Sequence, residues 1–179
     1  MHKAVKPAWQ ALLLCLGFLT SAFAQEAVPE QEVKFAMTYK VTRFVQWPKT
    51  HANRQAFHFC VFADNPFEDA LSELTGRKVQ TSPIQALITD DLDVIRHQCQ
   101  LLYIPEGFYR DIPQILAAVR TQSILTISDT EGFANDGGII ELHNTDNRIG
   151  FRINIDAYRQ TGLEISSQLL QIADLVVVE

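Results

Sequence analysis

The sequence is poor in the features that mark proteins that bind nucleic acids or anionic membranes. Its 15 lysines and arginines are outnumbered by 21 aspartates and glutamates, which gives a net charge of −6. Phosphate groups are recognised by clustered basic residues, and the chain contains no basic stripe, so we expect no nucleic-acid partner. The absence of a polybasic segment likewise argues against attachment to a membrane surface.

Motifs for catalysis and metal binding are also missing. The chain contains no CxxC, HExxH, GxSxG or SxxK sequence, and no two histidines stand at the spacing of metal ligands. The pair Gly137–Gly138 lacks the context of a phosphate-binding loop. Ser128–Asp129 ends a predicted strand and is interpreted as a turn; an enzyme would need Asp129 or a histidine poised in a cleft. We therefore predict no catalytic residue, no metal and no cofactor, and a protein that is not an enzyme.

The N-terminus has the pattern of a secretion signal. Lys3 and Lys6 precede an apolar run at 11–19, and Ala22 and Ala24 supply the small residues of a signal-peptidase site. The apolar run is shorter than the about 20 residues that a permanent membrane anchor needs. We predict that residues 1–24 are a cleaved signal peptide, that 25–179 form a single domain, and that this domain resides in a bacterial periplasm.

Only two of the three cysteines lie outside the predicted signal peptide, and these are Cys60 and Cys99. An even pair in an oxidising compartment favours a disulfide bond. Such a bond would stabilise the fold by about 4 kcal/mol in the chain-entropy model. Two buried free thiols are the alternative.

Apolar periodicity predicts alternating strands and helices. Buried strands are predicted at 57–63, 101–104 and 124–127, and helices at 32–48, 67–75 and 112–119. This order favours an α/β fold with a mixed, partly parallel sheet and flanking helices. Residues 78–88 are predicted to form an edge strand or two short pieces. A C-terminal helix is predicted from the apolar stripe Leu169, Leu170, Ile172, Ala173 and Val176.

A C-terminal β-hairpin is predicted at 138–155, before that helix. Apolar and polar residues alternate along its second strand, so one face is expected to be buried and the other solvated. If Thr145 and Asp146 form the loop, Leu142 opposes Ile149 across the hairpin.

The solvated face of this hairpin carries the only charged set with a predicted shared geometry. In the predicted register, Glu141 lies diagonally between Arg148 and Arg152. Two interpretations stay open: a surface ion-pair network, and a docking patch or anion site.

A series of segments in this chain resembles the YfiR-like family of periplasmic proteins. The first of them are FVQWP at 44–48, FCVFADNPF at 59–67 and CQLLYI at 99–104. The others are ILTISD at 124–129, GFANDGGII at 132–140, NRIGFRIN at 147–154 and GLEISSQLL at 162–170. The resemblance runs in order from about residue 33 to 176, which is nearly the whole predicted mature chain.

The resemblance implies a negative regulator of cyclic-di-GMP signalling. Such a protein would bind the periplasmic sensor region of a membrane-bound diguanylate cyclase, repress cyclic-di-GMP synthesis and so control biofilm formation. An OmpA-like outer-membrane lipoprotein would be a second partner that sequesters the repressor. Cys60 and Cys99 match one disulfide of the family, whereas a second cysteine pair expected near the hairpin is absent here.

We expect the partner-binding patch to be bordered by the hairpin residues Ile139, Glu141, Arg148 and Arg152. A homodimer is also compatible with this prediction. The alternative function is a periplasmic sensory module that binds a small molecule and has no cyclase partner. That module would contain a closed apolar pocket with a few convergent polar groups.

Overall fold

The computed structural model describes residues 29–48, 55–145 and 148–176, so the predicted signal peptide lies outside the described residues. The strands are β1 (Val45–Gln46), β2 (Phe57–Phe62), β3 (Lys78–Val79), β4 (Ser82–Thr89), β5 (Leu101–Ile104), β6 (Leu125–Ser128), β7 (Ile140–Thr145), β8 (Arg148–Asn154), β9 (Glu164–Ile165) and β10 (Asp174–Val176). The α-helices are α1 (Glu30–Val41), α2 (Leu92–Gln98), α3 (Ile112–Val119), α4 (Ile155–Arg159) and α5 (Ser167–Leu170). Short 3-10 helices cover Thr42–Phe44, Glu68–Leu74 and Glu106–Phe108. None of the described helices combines the length and the apolar character that a membrane crossing requires.

The main sheet has the strand order β10-β8-β7-β6-β5-β2-β4-β3. Its five central strands, from β4 to β7 in that order, run parallel to one another. Strand β8 is antiparallel to β7, and β10 is parallel to β8. The predicted mixed, partly parallel sheet and the C-terminal hairpin are therefore confirmed. Residues 78–88 form the two-residue strand β3 and most of the eight-residue strand β4, so only the first of the two predicted pieces is short.

The apolar strands are explained by burial on both faces of the sheet. Along β5, Leu101 and Tyr103 belong to the core cluster that includes Phe35 of α1, whereas Leu102 and Ile104 belong to the opposite cluster. That second cluster contains residues of α2 and α3. A parallel strand covered on both sides has no solvated face, so its sequence is continuously apolar rather than alternating.

The C-terminal segment differs from the predicted helix. Helix α5 ends at Leu170, Ile172 exposes 72% of its surface, and Asp174–Val176 pair with β8 as a strand. Strand β8 pairs with β7 on one side only, so its outer backbone groups need partners, and β10 supplies them. The β-branched run that begins at Val176 also favours extended backbone over helix.

Candidate functional site

The observed hairpin register differs from the predicted one by two residues. Leu142 pairs with Phe151 rather than with Ile149, and Thr145 pairs with Arg148. Thr145 is therefore part of the paired strand and does not belong to the loop as predicted. A shift by two residues keeps every side chain on its predicted face but changes which side chains meet. Glu141 now lies directly opposite Arg152 and does not lie diagonally between two arginines.

The structure separates the four hairpin residues of the predicted patch into two groups. Ile139 and Glu141 are buried, so the structure does not expose their side chains as the expected patch would require. Arg148 is exposed at the loop end of the hairpin, and Arg152 is partly exposed. His143 lies between the two arginines on this face, because it pairs with Gly150 and its ring covers that glycine.

Glu141 is buried because a loop covers the face that was expected to be solvated. One of its carboxylate oxygens accepts a hydrogen bond from Arg152 at 2.6 Å, and the other accepts one from the Ala134 N–H at 3.0 Å. Asn154 donates to the Ala134 carbonyl at 2.6 Å. The N–H and the C=O of Ala134 thus both form hydrogen bonds with hairpin side chains, as buried backbone polar groups require. Glu141 and Asn154 therefore fasten the segment between β6 and β7 onto the hairpin.

A second polar cluster lies where β5 and β6 end, at the edge where α/β folds place functional groups. Asp129 follows β6; one of its oxygens accepts a hydrogen bond from the Glu106 N–H at 2.9 Å, and the other lies 2.8 Å from Lys34 Nζ. Lys34 Nζ also lies 2.8 Å from a carboxylate oxygen of Glu30. Lys34 and Asp129 are 95 residues apart in sequence, so their ion pair joins α1 to the end of the sheet.

The two carboxylates determine the charge of Lys34. Burial lowers the pKa of Lys34, but hydrogen bonds and charge from Asp129 and Glu30 outweigh it, so the pKa is raised above 10.5. A raised pKa means that the folded state holds the proton more tightly than the unfolded chain. The resulting stabilisation is fully present below about pH 10.5 and is lost as the pH rises through the raised value. At neutral pH this cluster therefore serves as a charged clamp on α1.

Tyr103 of β5 is fully buried beside this clamp. Its hydroxyl has no hydrogen-bond partner among the described residues. The Asp129 carboxylate lies close enough to raise the pKa of the phenol, but the two groups do not meet the geometry of a hydrogen bond. Burial raises the pKa of Tyr103, and the charges of Asp129, Glu106 and Glu30 raise it further.

Replacing Tyr103 with phenylalanine is expected to raise the free energy of unfolding by about 1 kcal/mol at pH 7, because a buried hydroxyl without a partner is removed. The pKa of Tyr103 is higher in the folded state, so its stabilisation is present below about pH 10.0 and is lost at higher pH. The variant should therefore lose less stability than the native protein above that pH. Guanidinium unfolding at pH 7 and at a pH above 10.0 measures these effects. Tyr109→Phe, at an exposed tyrosine, is the control. A Tyr103→Phe variant that is less stable than the native protein at pH 7 would contradict the account.

A groove of about 840 Å³ separates α1 from the 3-10 helix Glu68–Leu74. It is open to solvent, and six charged side chains line it together with apolar ones. The charged side chains are Glu32, Lys40, Arg43, Asp69, Glu73 and Arg77. This groove therefore differs from the closed apolar pocket that a small-molecule sensory module would contain.

The described histidines make local structural contacts. A ring nitrogen of His58 lies 3.1 Å from the Gln98 carbonyl, and one of His97 lies 2.7 Å from the Asp93 carbonyl. His143 Nε2 lies 3.4 Å from an Asp174 carboxylate oxygen. His51 lies outside the described residues. Among the described residues, no group of three or more His, Cys, Asp and Glu side chains could hold a metal ion.

Comparison with known protein families gives one match that spans this whole arrangement. The YfiR/HmsC-like family model matches residues 31–174 of the 179-residue chain, from α1 to the beginning of β10. The match includes the charged clamp, the disulfide cysteines and the hairpin. The chain therefore belongs to the YfiR/HmsC-like family, a family of periplasmic proteins associated with the regulation of diguanylate cyclases.

Proposed function

We propose that this protein is a periplasmic negative regulator that binds the periplasmic sensor region of a membrane-bound diguanylate cyclase and holds the enzyme inactive. The family match over residues 31–174 is the observation that carries the proposal. In this role the protein is a binding partner that catalyses no reaction. An OmpA-like outer-membrane lipoprotein would sequester it and thereby release the cyclase.

Repression of this kind requires different affinities for two states of the cyclase. Moving such an equilibrium from almost fully active to almost fully inactive takes about 5.5 kcal/mol of differential binding. An exposed ion pair contributes about 1 kcal/mol or less, so charges alone are insufficient. The binding surface must combine charged groups with buried apolar anchors.

The exposed side of the hairpin fits this requirement. Arg148 and Arg152 lie on one face of β8 because they are four residues apart in a strand. Ile172, the most exposed of the large apolar residues described, lies just before β10, the neighbour of β8. These three side chains would meet an acidic segment of the cyclase that also presents an apolar side chain.

The proposal predicts that charge reversal at Arg148 weakens binding to the cyclase by about ten-fold, which corresponds to 1.4 kcal/mol. Arg148 is exposed, so Arg148→Glu should leave the free energy of unfolding unchanged. Arg120→Glu is the matched control, because Arg120 is an exposed arginine at the end of α3. Affinity capture from solubilised membranes of the native organism, followed by identification of proteins with a GGDEF-type domain, measures the binding.

Cellular cyclic-di-GMP supplies the functional measurement. Deleting the gene should raise its concentration, the native gene and Arg120→Glu should restore it, and Arg148→Glu should restore it only in part. Unchanged cyclic-di-GMP on deletion, together with no captured cyclase, would overturn the proposal. That result would shift the assignment to a small-molecule sensory module.

A further inference from the structure

One continuous face of the first helix lines the groove of about 840 Å³ that separates α1 from the 3-10 helix Glu68–Leu74. Residues of α1 and of the turn that follows it make up this face, and they recur at the three- and four-residue intervals that place side chains on one side of a helix. They are Glu32, Phe35, Ala36, Tyr39, Lys40 and Arg43. The groove therefore runs along the axis of α1.

The floor of this groove is apolar. Phe35 and Phe67 are buried there with their ring centroids 5.1 Å apart, and Ala36, Tyr39 and Ala70 are half-buried beside them. Apolar side chains are favoured on such a floor, because they leave water without losing hydrogen bonds. The floor therefore fits a ligand whose middle part is apolar.

The two walls of the groove run in the same chain direction. Phe67 lies against Phe35 before the 3-10 helix begins, and after that helix ends the Arg77 guanidinium lies 5.4 Å from the centre of the Tyr39 ring. Residues that come early in the 3-10 wall therefore lie beside early residues of α1. Arg77 is also 3.7 Å from Glu73, so these two charges largely offset each other.

Four other charged side chains give the groove an acidic end and a basic end. Glu32 and Asp69 lie at the end where α1 begins, and Lys40 and Arg43 lie at the end where α1 finishes. All four are exposed, and none of these side chains has an ion-pair or hydrogen-bond partner among the described residues. A ligand that reaches both ends therefore needs a positive group at one end and a negative group at the other.

The distance between the charged ends fits a short peptide. Glu32 and Lys40 are eight residues apart in α1, which corresponds to about 12 Å along the helix axis. An extended chain advances about 3.3 Å per residue, so about four residues span this distance. A peptide of this length with free termini carries an ammonium group at one end and a carboxylate at the other.

We propose that this groove binds peptides of about four residues in an extended conformation, with the N-terminal ammonium at Glu32 and Asp69. The C-terminal carboxylate then meets Lys40 and Arg43, and an apolar side chain from the middle of the peptide packs on the floor. Capture of peptide termini is a recurring mode of peptide recognition, and here charged side chains supply it. The ligand is distinct from the cyclase, so the proposal stands whether or not the protein represses that enzyme.

NMR titration measures this binding on protein isolated from the periplasm of cells that express the full chain. The probe is the tetrapeptide AFLA with free termini, and the amide signals of Ala36 and Ala70 should shift and saturate. Acetylation of the N-terminus or amidation of the C-terminus removes one end charge, so each should weaken binding at least about ten-fold. The free dipeptide FL cannot reach both ends and should also bind at least about ten-fold more weakly.

Charge reversal at the basic end tests the orientation of the peptide. Lys40→Glu should weaken binding of free-ended AFLA about ten-fold, whereas amidated AFLA, which lacks the carboxylate, should bind this variant at least as tightly as the native protein. Arg120→Glu, at an exposed arginine outside the groove, should leave the affinity for both peptides unchanged. Lys40 also complements the dipole of α1 from its last turn, so circular dichroism confirms that the variant is folded. Arg43→Glu should behave as Lys40→Glu does and repeats the test beyond the end of α1.

Three results would overturn the proposal. The first is an absence of saturable shifts with free-ended AFLA. The second is equal affinity for the free-ended peptide and for the peptide blocked at both termini. The third is a set of shifts that maps to the hairpin at 140–154 and spares Ala36 and Ala70.

Discussion

Replacing Cys60 and Cys99 together with alanine is expected to lower the free energy of unfolding by about 4 kcal/mol. The disulfide joins β2 to the residue that follows α2, with a Cα–Cα distance of 5.8 Å and a sequence separation of 39. Without the bond, the unfolded chain gains the freedom of that whole segment. Both cysteines are also buried in the cluster that contains α2 and α3, so their replacement removes apolar contacts as well.

Guanidinium unfolding of the native and double-variant proteins measures this loss. The native protein unfolded in the presence of a reductant is the control, since it keeps both side chains and lacks only the bond. The reduced native protein should lose most of the free energy of unfolding that the double variant loses. A loss below about 1 kcal/mol in both cases would contradict the loop-closure account and would indicate an unfolded state that stays compact around this segment.

The same variant distinguishes a structural disulfide from a regulatory one. In the sheet order, β5 and β6 lie between β2 and the hairpin, so the bond does not touch the proposed cyclase-binding face. We therefore expect the native protein to capture the cyclase whether it is oxidised or reduced, under conditions where both forms are folded. Capture by the oxidised form alone would assign the bond a regulatory role.

Strands β2, β5 and β6 were predictable because each is a short, continuously apolar run. Helix α2 was not among the helices predicted from apolar periodicity. Asp91 is the N-cap of α2, and its side chain accepts hydrogen bonds from the N–H groups of Asp93 and Val94. An acidic residue before an apolar stretch is the signal that could have located this helix.

The hairpin register was beyond what alternation alone can determine. A shift by two residues leaves the apolar face unchanged, so the pattern of Phe151 and Ile153 fits both registers equally well. Every residue from 144 to 147 is a turn former or tolerates a turn, so composition did not fix the loop either. The observed register places Glu141 within 2.6 Å of Arg152, a contact that alternation does not specify.

The polar clusters were predictable only in part. Ser128–Asp129 was singled out because it ends a strand, but nothing in the sequence links Asp129 to Lys34. The burial of Glu141 follows from the segment between β6 and β7, which covers the face that alternation assigned to solvent. A glutamate inside the apolar run Ile139–Ile140–Glu141–Leu142 was the available signal, because a charge in such a run needs a buried partner.

Replacing Glu141 with alanine is expected to lower the free energy of unfolding by about 3 kcal/mol, because it breaks a buried ion pair and leaves the Ala134 N–H without its acceptor. The Glu141 side chain is 1% exposed and that of Arg152 is 37% exposed. Arg152→Ala should therefore cost about 2 kcal/mol, less than the loss of a fully buried partner. Arg148→Ala is the control on the same face of β8, and its stability should match that of the native protein.

A double-mutant cycle between Glu141→Gln and Arg152→Ala isolates the ion pair from the other contacts of each residue. We expect a coupling energy of about 1 to 2 kcal/mol, and a value near zero would show that the pair contributes nothing beyond its packing. Hydrogen exchange at the Ala134 amide reports the other half of the arrangement, because its protection should fall in Glu141→Ala and persist in Arg152→Ala. The bonds of Glu141 and Asn154 to Ala134 hold the segment between β6 and β7 on the hairpin, so the loss of Glu141 should loosen this segment.

Replacing Arg152 is expected to lower stability, so weaker cyclase binding by an Arg152 variant can be attributed to direct contact only after this loss of stability has been subtracted. Arg148 carries no such loss, and it is therefore the decisive position for testing the binding surface.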